Sequence, residues 1–228
     1  MSVIKSPHRR CAKFKYQFLI NKYKRWRKLG MKLNHSIEKE IPQDVLLEAA
    51  GEFHMLTKDG IIIFDSKDET AYLMDRIIYD IERDSKRYIE YYLEKYKDSL
   101  SDMQKRLLEA MQNSVYSLFI IRDVKAGVGA HITDAFSNER LFLCDINMSQ
   151  TVQKGCLISC RIISIDNIHF TSGCACIFKG IHLKLLRDNF INLFEKKKNI
   201  LTWQQMMRKY NPYFFKIMRQ TGMKLRFC

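Results

Sequence analysis

The fold is decided by residues 115–178, which read VYSLFIIRDVKAGVGAHITDAFSNERLFLCDINMSQTVQKGCLISCRIISIDNIHFTSGCACIF. β-Branched and aromatic residues are concentrated in five short runs, and Gly, Asn, Ser and Lys separate the runs. Such runs are typical of β-strands joined by turns. Five regularly spaced strands predict a small antiparallel barrel or a strongly bent meander over residues 114–178. The predicted strands are 116–123, 128–134, 140–145, 157–166 and 169–178.

Helical patterns precede the strands. Residues 11–29 contain no Gly or Pro and place apolar side chains at near-helical spacing, which predicts a basic amphipathic helix that stops at the following glycine. Residues 42–50 and 102–112 predict shorter helices, and 61–64 predict a short strand. A long helix is predicted to begin at 65–66, because apolar residues recur at helical spacing at Leu73, Ile77, Ile81, Tyr88, Tyr92 and Tyr96.

Helical patterns also follow the strands, over residues 181–197 and 202–219, and Asn211-Pro212 is expected to break or kink the second helix. The predicted fold class is α+β: a helical N-terminal half, a small five-stranded antiparallel barrel or bent meander, and C-terminal helices that pack back. No Gly-, Pro- or Ser-rich linker divides the chain, so one cooperative unit is expected. Its parts are a basic arm or helix (1–33), a helical region (34–113), the barrel (114–178) and basic helices (179–228).

Positive charge is concentrated at the two ends of the chain. The 228 residues carry a formal net charge of +14. Residues 1–33 contain eleven Lys or Arg and no acid, and residues 196–228 contain nine and again no acid. Interspersed charges of both signs would serve solubility equally well, so segregation on this scale points to an anionic partner. Both ends are therefore predicted to meet nucleic acid or another polyanion.

The composition excludes several classes of protein. A hydrophobic fraction of 46% is enough for a packed core, and nine Gly and three Pro are too few for a low-complexity chain. The longest uncharged run falls short of the roughly 18 apolar residues that a membrane span needs. Seven scattered cysteines are a poor disulfide framework. A reducing, cytoplasmic setting without a transmembrane segment is predicted, with a mitochondrial transit peptide as the alternative for the basic start.

The strand region contains a set of short polar and glycine motifs: Arg122-Asp123, Gly127-x-Gly129, Asp134, Asn138-Glu139-Arg140, Asp145, Ser149, Lys154-Gly155 and Cys160-Arg161. Through these motifs, residues 114–178 resemble small β-barrel modules of uncharacterised bacterial proteins that join a helical region to one barrel. Some relatives of that kind carry a short metal-binding cysteine motif elsewhere, and this sequence has no recognisable copy of it. The resemblance implies the barrel and implies no function.

No motif for catalysis or metal binding stands out. Four cysteines could surround zinc, but their spacing is atypical, and residues two or four apart on a strand share a face, which favours small core residues: Cys156, Cys160, Cys174 and Cys176. Aspartates at the strand ends are interpreted as turn residues: Asp123, Asp134, Asp145 and Asp166. The dispersed histidines form no metal-ligand or catalytic arrangement. No cofactor, no metal site and no catalytic residue is predicted.

The leading hypothesis is a non-enzymatic, nucleic-acid-associated protein that favours RNA over DNA, in which the basic termini contact phosphate and the barrel is a rigid platform. Trp26 is predicted to stack on a base. The alternative for the aromatic residues of both ends is that they anchor terminal helices to the core. Predicted phosphate contacts are Arg9, Arg10, Lys13, Lys15, Lys24, Arg25, Arg27 and Lys28.

Two other classes of function stay open. A basic helix with Phe14, Phe18 and Trp26 also fits an anionic lipid surface or the groove of a protein partner, so a protein-interaction or membrane-surface module is the main alternative. A metal-dependent or thiol enzyme is the other, although no local motif supports it.

Overall fold

The computed structural model describes residues 7–178, 186 and 192–221, with side chains described from Tyr16 onwards except at 67, 68, 218, 220 and 221. Five helices precede the barrel: α1 (Pro7–Glu38), α2 (Gln43–Glu52), α3 (Lys67–Tyr79), α4 (Tyr88–Tyr96) and α5 (Asp102–Gln112). Between α3 and α4 lies a hairpin of the two-residue strands β1 (Glu82–Arg83) and β2 (Lys86–Arg87). The barrel strands are β3 (Val115–Lys125), β4 (Gly129–Asp134), β5 (Arg140–Cys144), β6 (Leu157–Ile165) and β7 (Ile168–Phe178).

Among the described residues after the barrel, two helices have defined bounds: α6 (Asn192–Lys197) and α7 (Trp203–Thr221). Helix α6 is the last part of the helix predicted over 181–197, most of which lies outside the described residues. Helix α7 continues through Pro212, so of the break or kink expected there the break does not occur. In the described part of the chain no helix is both long enough and apolar enough to cross a membrane.

The five predicted strands form a closed barrel in the order β3-β4-β5-β7-β6, with β6 returning to β3. Four of the five pairings are antiparallel, but β5 and β7 are parallel, with Leu143 opposite His169. The barrel is therefore mixed, and the prediction of an antiparallel barrel is wrong. The β6–β7 hairpin inserts between β3 and β5, so β7 must run in the direction of β5. This five-stranded Greek-key connectivity is that of the OB-fold.

Two apolar layers share the barrel wall because successive strand residues point to opposite faces. One set fills the interior of the barrel: Phe119, Ile121, Ala130, Ile132, Leu143, Met148, Val152, Ile158, Cys160, Ile162 and Ala175. The outward side chains of β3, β6 and β7, among them Tyr116, Phe170 and Phe178, join the larger core that the helices cover. Helices α1, α3, α5 and α7 pack on this side of the barrel.

The long helix predicted from 65–66 is wrong, because the chain leaves the helix at Asp80 and turns through the β1–β2 hairpin. Asp84 and Ser85 have φ angles of 47° and 64°, the left-handed conformation of a tight hairpin turn. Conversely, α1 does not stop at Gly30 but continues to Glu38, because Leu33 and Ile37 still face the core. The strand predicted over 61–64 is reduced to an isolated bridge between Leu56 and Ile62.

A buried ion network joins the barrel to the helices. Arg161 of β6 is fully buried, donates from Nε to Asp75 Oδ2 (3.0 Å) and pairs through Nη2 with Asp80, the residue after α3. Its guanidinium lies 4.5 Å from the ring centroid of Tyr79. Asn211 of α7 donates from Nδ2 to Asp80 Oδ2 (2.6 Å), so the last helix packs back on this junction.

Candidate nucleic-acid interface

The outward side chains of β4 and β5 form a face that carries aromatic rings and cations. Ala130 and Ile132 point into the barrel, so His131 points outwards and is exposed. Phe142 of β5 lies opposite His131 in the strand register and is half-buried. The two rings meet edge to face, with centroids 4.9 Å apart and an interplanar angle of 67°. Their contact holds both side chains against the barrel wall.

Two exposed arginines lie beside these rings. Arg140 is the register partner of Thr133, and Arg122 donates from Nε to Thr133 Oγ1 (3.1 Å), so both belong to the same face. Within the described residues neither arginine has an ion pair. The nearby Asp123 is held by Lys125 at 3.4 Å, and this lysine lowers the pKa of the Asp123 carboxyl. Two positive charges on this face are thus uncompensated.

Helix α1 adds a third ring at the edge of the face. The ring of Tyr16 lies 6.3 Å from that of Phe142, tilted by 37°. We call Tyr16, Arg122, His131, Arg140 and Phe142 the β4–β5 face. Alternation along the strands is the sequence signal for this face. In His131-Ile132-Thr133 and in Arg140-Leu141-Phe142, one inward apolar residue lies between two outward polar or aromatic residues. Sequence reasoning missed the face because it searched for basic residues at the ends of the chain.

Trp26, the predicted stacking residue, lies in the core. Only 3% of its surface is exposed, and the guanidinium groups of Arg25 and Arg106 each lie 5.9 Å from its ring centroid. The neighbouring Tyr23 is also buried, with its ring 6.2 Å from that of Phe170 in β7. The structure thus places these two aromatic residues where the alternative interpretation had them, as anchors of α1, and Trp26 offers no face to a base.

The predicted phosphate contacts of α1 divide into three groups. Arg27 is engaged by the barrel, since its Nη1 donates to the carbonyl of Ser172 (2.8 Å), and Arg25 Nη2 contacts Met103 Sδ at 2.6 Å. Lys24 and Lys28 are exposed and lie one turn apart. The side chains of the remaining four lie outside the described part: Arg9, Arg10, Lys13 and Lys15.

At the C-terminal end, segregation of charge in the sequence is partly undone by the fold. Arg219 of α7 pairs with Glu69 of α3 and lies 3.4 Å from Asp65. Glu69 is itself 2% exposed, so this pair fastens α7 to the helical half. Lys198 pairs with Glu195 in α6. An acid-free stretch of sequence is therefore no measure of free positive charge.

The cysteines of the barrel do not converge on a common point. Cys160 faces the barrel interior, whereas Cys174 and Cys176 face the core beneath the helices. Burial raises the pKa of all three thiols, that of Cys176 to about 12. In the part of the chain that is described, no three His, Cys, Asp or Glu residues are grouped as metal ligands. These cysteines are packed as small, protonated core residues.

A turn role was predicted for four aspartates at the strand ends, and two of them, Asp134 and Asp145, bond the turn backbone. Asp134 Oδ1 accepts hydrogen bonds from the backbone N–H groups of Phe136 (2.8 Å) and Ser137 (3.0 Å). Asp145 Oδ1 accepts from Met148 N (2.9 Å), and its Oδ2 accepts from Thr171 Oγ1 (2.9 Å). Carboxylates with these partners hold the backbone and are not poised for acid–base chemistry.

Comparison with known proteins gives a family. The model of a family of unknown function, DUF7986, matches residues 17–228. Because the match spans nearly the whole chain, the protein belongs to this family. No curated protein and no solved structure matches the chain. The match agrees with the resemblance to uncharacterised proteins, and it carries no function with it.

Proposed function

We propose that this member of a family of unknown function is a non-enzymatic protein that binds single-stranded nucleic acid, RNA in preference to DNA, across the β4–β5 face. The observation that carries the proposal is the coincidence of a fold and a surface. In OB-folds the face of the second and third strands binds oligonucleotides, and β4 and β5 are the second and third strands of this barrel. That face holds three rings beside two arginines that have no ion pair among the described residues.

The chemistry of the face suits a single strand better than a duplex. Unpaired bases stack on aromatic side chains, whereas bases in a duplex have their faces covered by their neighbours. Phe142 and His131 present adjacent rings, and Arg122 and Arg140 lie within the same patch to neutralise phosphates. Among the described residues only the Nε of Arg122 has a hydrogen-bond acceptor, Thr133, so four of its five N–H donors have no partner in that part of the chain.

Helix α1 extends the basic surface of the proposed interface. Its N-terminal part passes beside β5, as the contact of Tyr16 with Phe142 shows. Among the predicted phosphate contacts whose side chains are described, Lys24, Arg25 and Lys28 are exposed, and Arg25 contacts Met103 whereas the two lysines do not. We assign them a long-range attractive role, because exposed lysines act on a polyanion as point charges without fixed geometry. Trp26 and Arg27 have no part in the proposed interface.

Fluorescence anisotropy tests the proposal directly. A labelled single-stranded RNA of about ten nucleotides, a length within the site size of one OB-fold, is titrated with the wild type and with Arg122→Gln/Arg140→Gln. Removing two phosphate contacts is expected to weaken binding by about tenfold or more. DNA of the same sequence is expected to bind more weakly. Equal affinity of wild type and double variant would refute the face as the binding site.

A matched control separates the face from net charge. Lys58 and Lys97 are exposed, lie in the helical half, and have no ion pair in the described part of the chain. The variant Lys58→Gln/Lys97→Gln therefore loses the same formal charge without touching the β4–β5 face. Its affinity for RNA should stay within about twofold of wild type, because exposed charges farther away than a Debye length are screened.

A membrane-surface or protein-interaction role is the second candidate. Phe18 and Met31 of α1 are 65% and 60% exposed, and Lys22 lies 5.2 Å from the ring centroid of Phe18. Exposed apolar residues beside lysines are what a helix lying on anionic lipid requires. Co-sedimentation with vesicles that contain phosphatidylserine tests this candidate. Retention on vesicles that Phe18→Ala abolishes, together with no binding of RNA, would favour it over the proposed interface.

A further inference from the structure

A polar cleft opens where the end of α5, the start of β3 and the start of α7 meet. It has a volume of about 370 Å³ and is lined by Arg87, Gln112, Ser114, Thr202, Gln205 and Arg208 among others. This volume lies at the small end of the roughly 300–1,000 Å³ that ligand pockets span. We call it the α5–α7 cleft. It shares no residue with the β4–β5 face.

Two arginines of the cleft differ in how well they are compensated. Arg87 is buried, pairs with Glu90 through Nη2, and donates from Nη1 to the carbonyl of Gln112 (3.0 Å). Arg208 is half-buried, and its guanidinium has neither a hydrogen bond nor an ion pair in the described residues. Burial lowers the pKa of Arg208, and the positive charge of Arg87 lowers it further. Asp80 and Glu82 act in the opposite direction, but Asp80 is already bound by Arg161.

Ser114 provides a second, independent sign of a ligand. It is 4% exposed, it lines the cleft, and its buried Oγ has no hydrogen-bond partner among the residues that the structure describes. An orphaned hydroxyl costs stability unless something accepts its hydrogen bond. Buried hydroxyls are nearly always paired, so an orphan that lines the same cleft as an arginine without an ion pair suits an acceptor that carries negative charge.

The start of α7 is a further feature that favours an anion in the cleft. Thr202 caps this helix: its Oγ1 accepts from Gln205 N (3.3 Å), and its own N–H donates to Gln205 Oε1 (2.9 Å). Both residues, with Gln204, line the cleft. The positive end of a 19-residue helix therefore borders the space that Arg208 faces. Helix N-termini favour anions, and the effect adds to that of an arginine.

We propose that the α5–α7 cleft binds a phosphate group. A tetrahedral oxyanion could accept hydrogen bonds at once from the Arg208 fork and the Ser114 hydroxyl while it lies near the positive end of α7, whereas a planar carboxylate has fewer directions to offer. Glu90 does not oppose this, because it is paired with Arg87. The site accepts either free inorganic phosphate or the phosphate of an ester, since the shared group makes the contacts.

Titration calorimetry with inorganic phosphate, against chloride at equal ionic strength, tests the proposal. Wild type should bind about one equivalent, and Arg208→Gln should weaken binding by about tenfold or more. Ser114→Ala should weaken it by a smaller factor, and Arg208→Lys should fall between wild type and Arg208→Gln, because the charge stays while the fork is lost. The exposed Lys209, next to Arg208 on α7, supplies the control: Lys209→Gln should bind as wild type. A parallel titration with a nucleoside 5′-monophosphate identifies the source, since tighter binding of the ester assigns the site to an organic phosphate.

Thermal melting distinguishes phosphate binding by Arg208 from a purely structural role of this side chain, because a structural role predicts that Arg208→Gln lowers the melting temperature. Without phosphate, Arg208→Gln should melt at or above the temperature of wild type, because it removes a half-buried charge that has no ion pair in the described residues. Adding phosphate should raise the melting temperature of wild type and not that of Arg208→Gln. No response of wild type to about 20 mM phosphate, or an equal response of the variant, would overturn the proposal. Arg122→Gln/Arg140→Gln should keep phosphate binding, so this site and the RNA interface can fail separately.

Discussion

Arginines on opposite sides of the same barrel have opposite surroundings. Arg161 on β6 is fully buried and held by Asp75 and Asp80, whereas Arg122 and Arg140 are exposed and unpaired within the described residues. The first arginine joins the barrel to the helices, and the other two are available to a ligand. Whether a cation can meet a polyanion therefore depends on its ion pairs more than on its place in the sequence.

Arg161→Met is expected to have the largest effect on the folded state. The substitution leaves two buried carboxylates facing each other across the junction, and breaking a buried ion pair in this way costs about 3–5 kcal/mol. Urea unfolding measures this as a fall in the free energy of unfolding. Arg122→Met on the β4–β5 face is the matched variant, and its cost should stay within about 0.5 kcal/mol. Equal costs for the two variants would remove the contrast between the junction and the face.

Trp26→Leu is expected to destabilise the protein without weakening its binding of RNA. Loss of ring volume at a position that is 3% exposed should cost about 2 kcal/mol of unfolding free energy. The RNA affinity of the folded variant, measured by anisotropy well below its melting temperature, should stay within about twofold. A loss of affinity of about 1–3 kcal/mol, with melting unchanged, would instead restore Trp26 as a stacking residue.

Phe142→Leu should weaken the binding of RNA without destabilising the protein. The leucine keeps most of the apolar contact with Tyr16 but removes the ring on which a base can stack, so affinity for RNA should fall by about 1 kcal/mol, or about fivefold. Melting should change little. Phe64→Leu is the control, because Phe64 is an exposed ring of the helical half at 39% exposure. Equal RNA affinities for the two variants would show that Phe142 makes no contact with a base.

The Arg87–Glu90 pair is intermediate in burial between the Arg161 network and the exposed arginines. Its expected effect on stability is the smallest of those considered. Hydrogen bonding with Arg87 lowers the pKa of Glu90 to about 2, below its ordinary value of 4.5. The pair therefore stabilises the folded state fully above about pH 4.5, and this contribution is lost as the pH falls towards 2. Between about pH 5 and pH 3, wild type should lose about 1 kcal/mol more unfolding free energy than Glu90→Gln, which lacks the titrating group. Parallel pH profiles of the two proteins in urea unfolding would contradict this.

The sequence predicted the parts of the fold that depend on local pattern. All five barrel strands and the helix α5 lie within two residues of their predicted bounds. In the structure α5 is capped at Ser101, whose hydroxyl and backbone N–H both donate to Gln104 Oε1. The parallel pairing of β5 and β7 depends on how a distant hairpin is inserted, which no local pattern records. The long helix was predicted across the end of α3, where Asp80 is bound by Arg161, a residue of the barrel 81 positions away that no local pattern records.

The candidate interface was harder to predict than the fold. Trp26 and Arg27 lie in a basic, aromatic stretch that is typical of nucleic-acid binding, yet one packs in the core and the other binds carbonyls of β7. Composition counts such residues as free because the groups that cover them lie elsewhere in the chain. Arg122 and Arg140 each follow or precede an acidic residue in the sequence, Asp123 and Glu139, and only the barrel brings the two arginines to one face with Phe142.

The salt dependence of RNA binding tests the central claim most directly. Each phosphate contact on a single strand contributes a slope of about −0.7 to the plot of log K against log salt concentration. Arg122→Gln/Arg140→Gln is therefore expected to flatten the wild-type slope by about 1.4, while Lys58→Gln/Lys97→Gln leaves it unchanged. A wild-type slope in the Arg122→Gln/Arg140→Gln variant, with wild-type affinity, would contradict the β4–β5 face as the surface that meets nucleic acid.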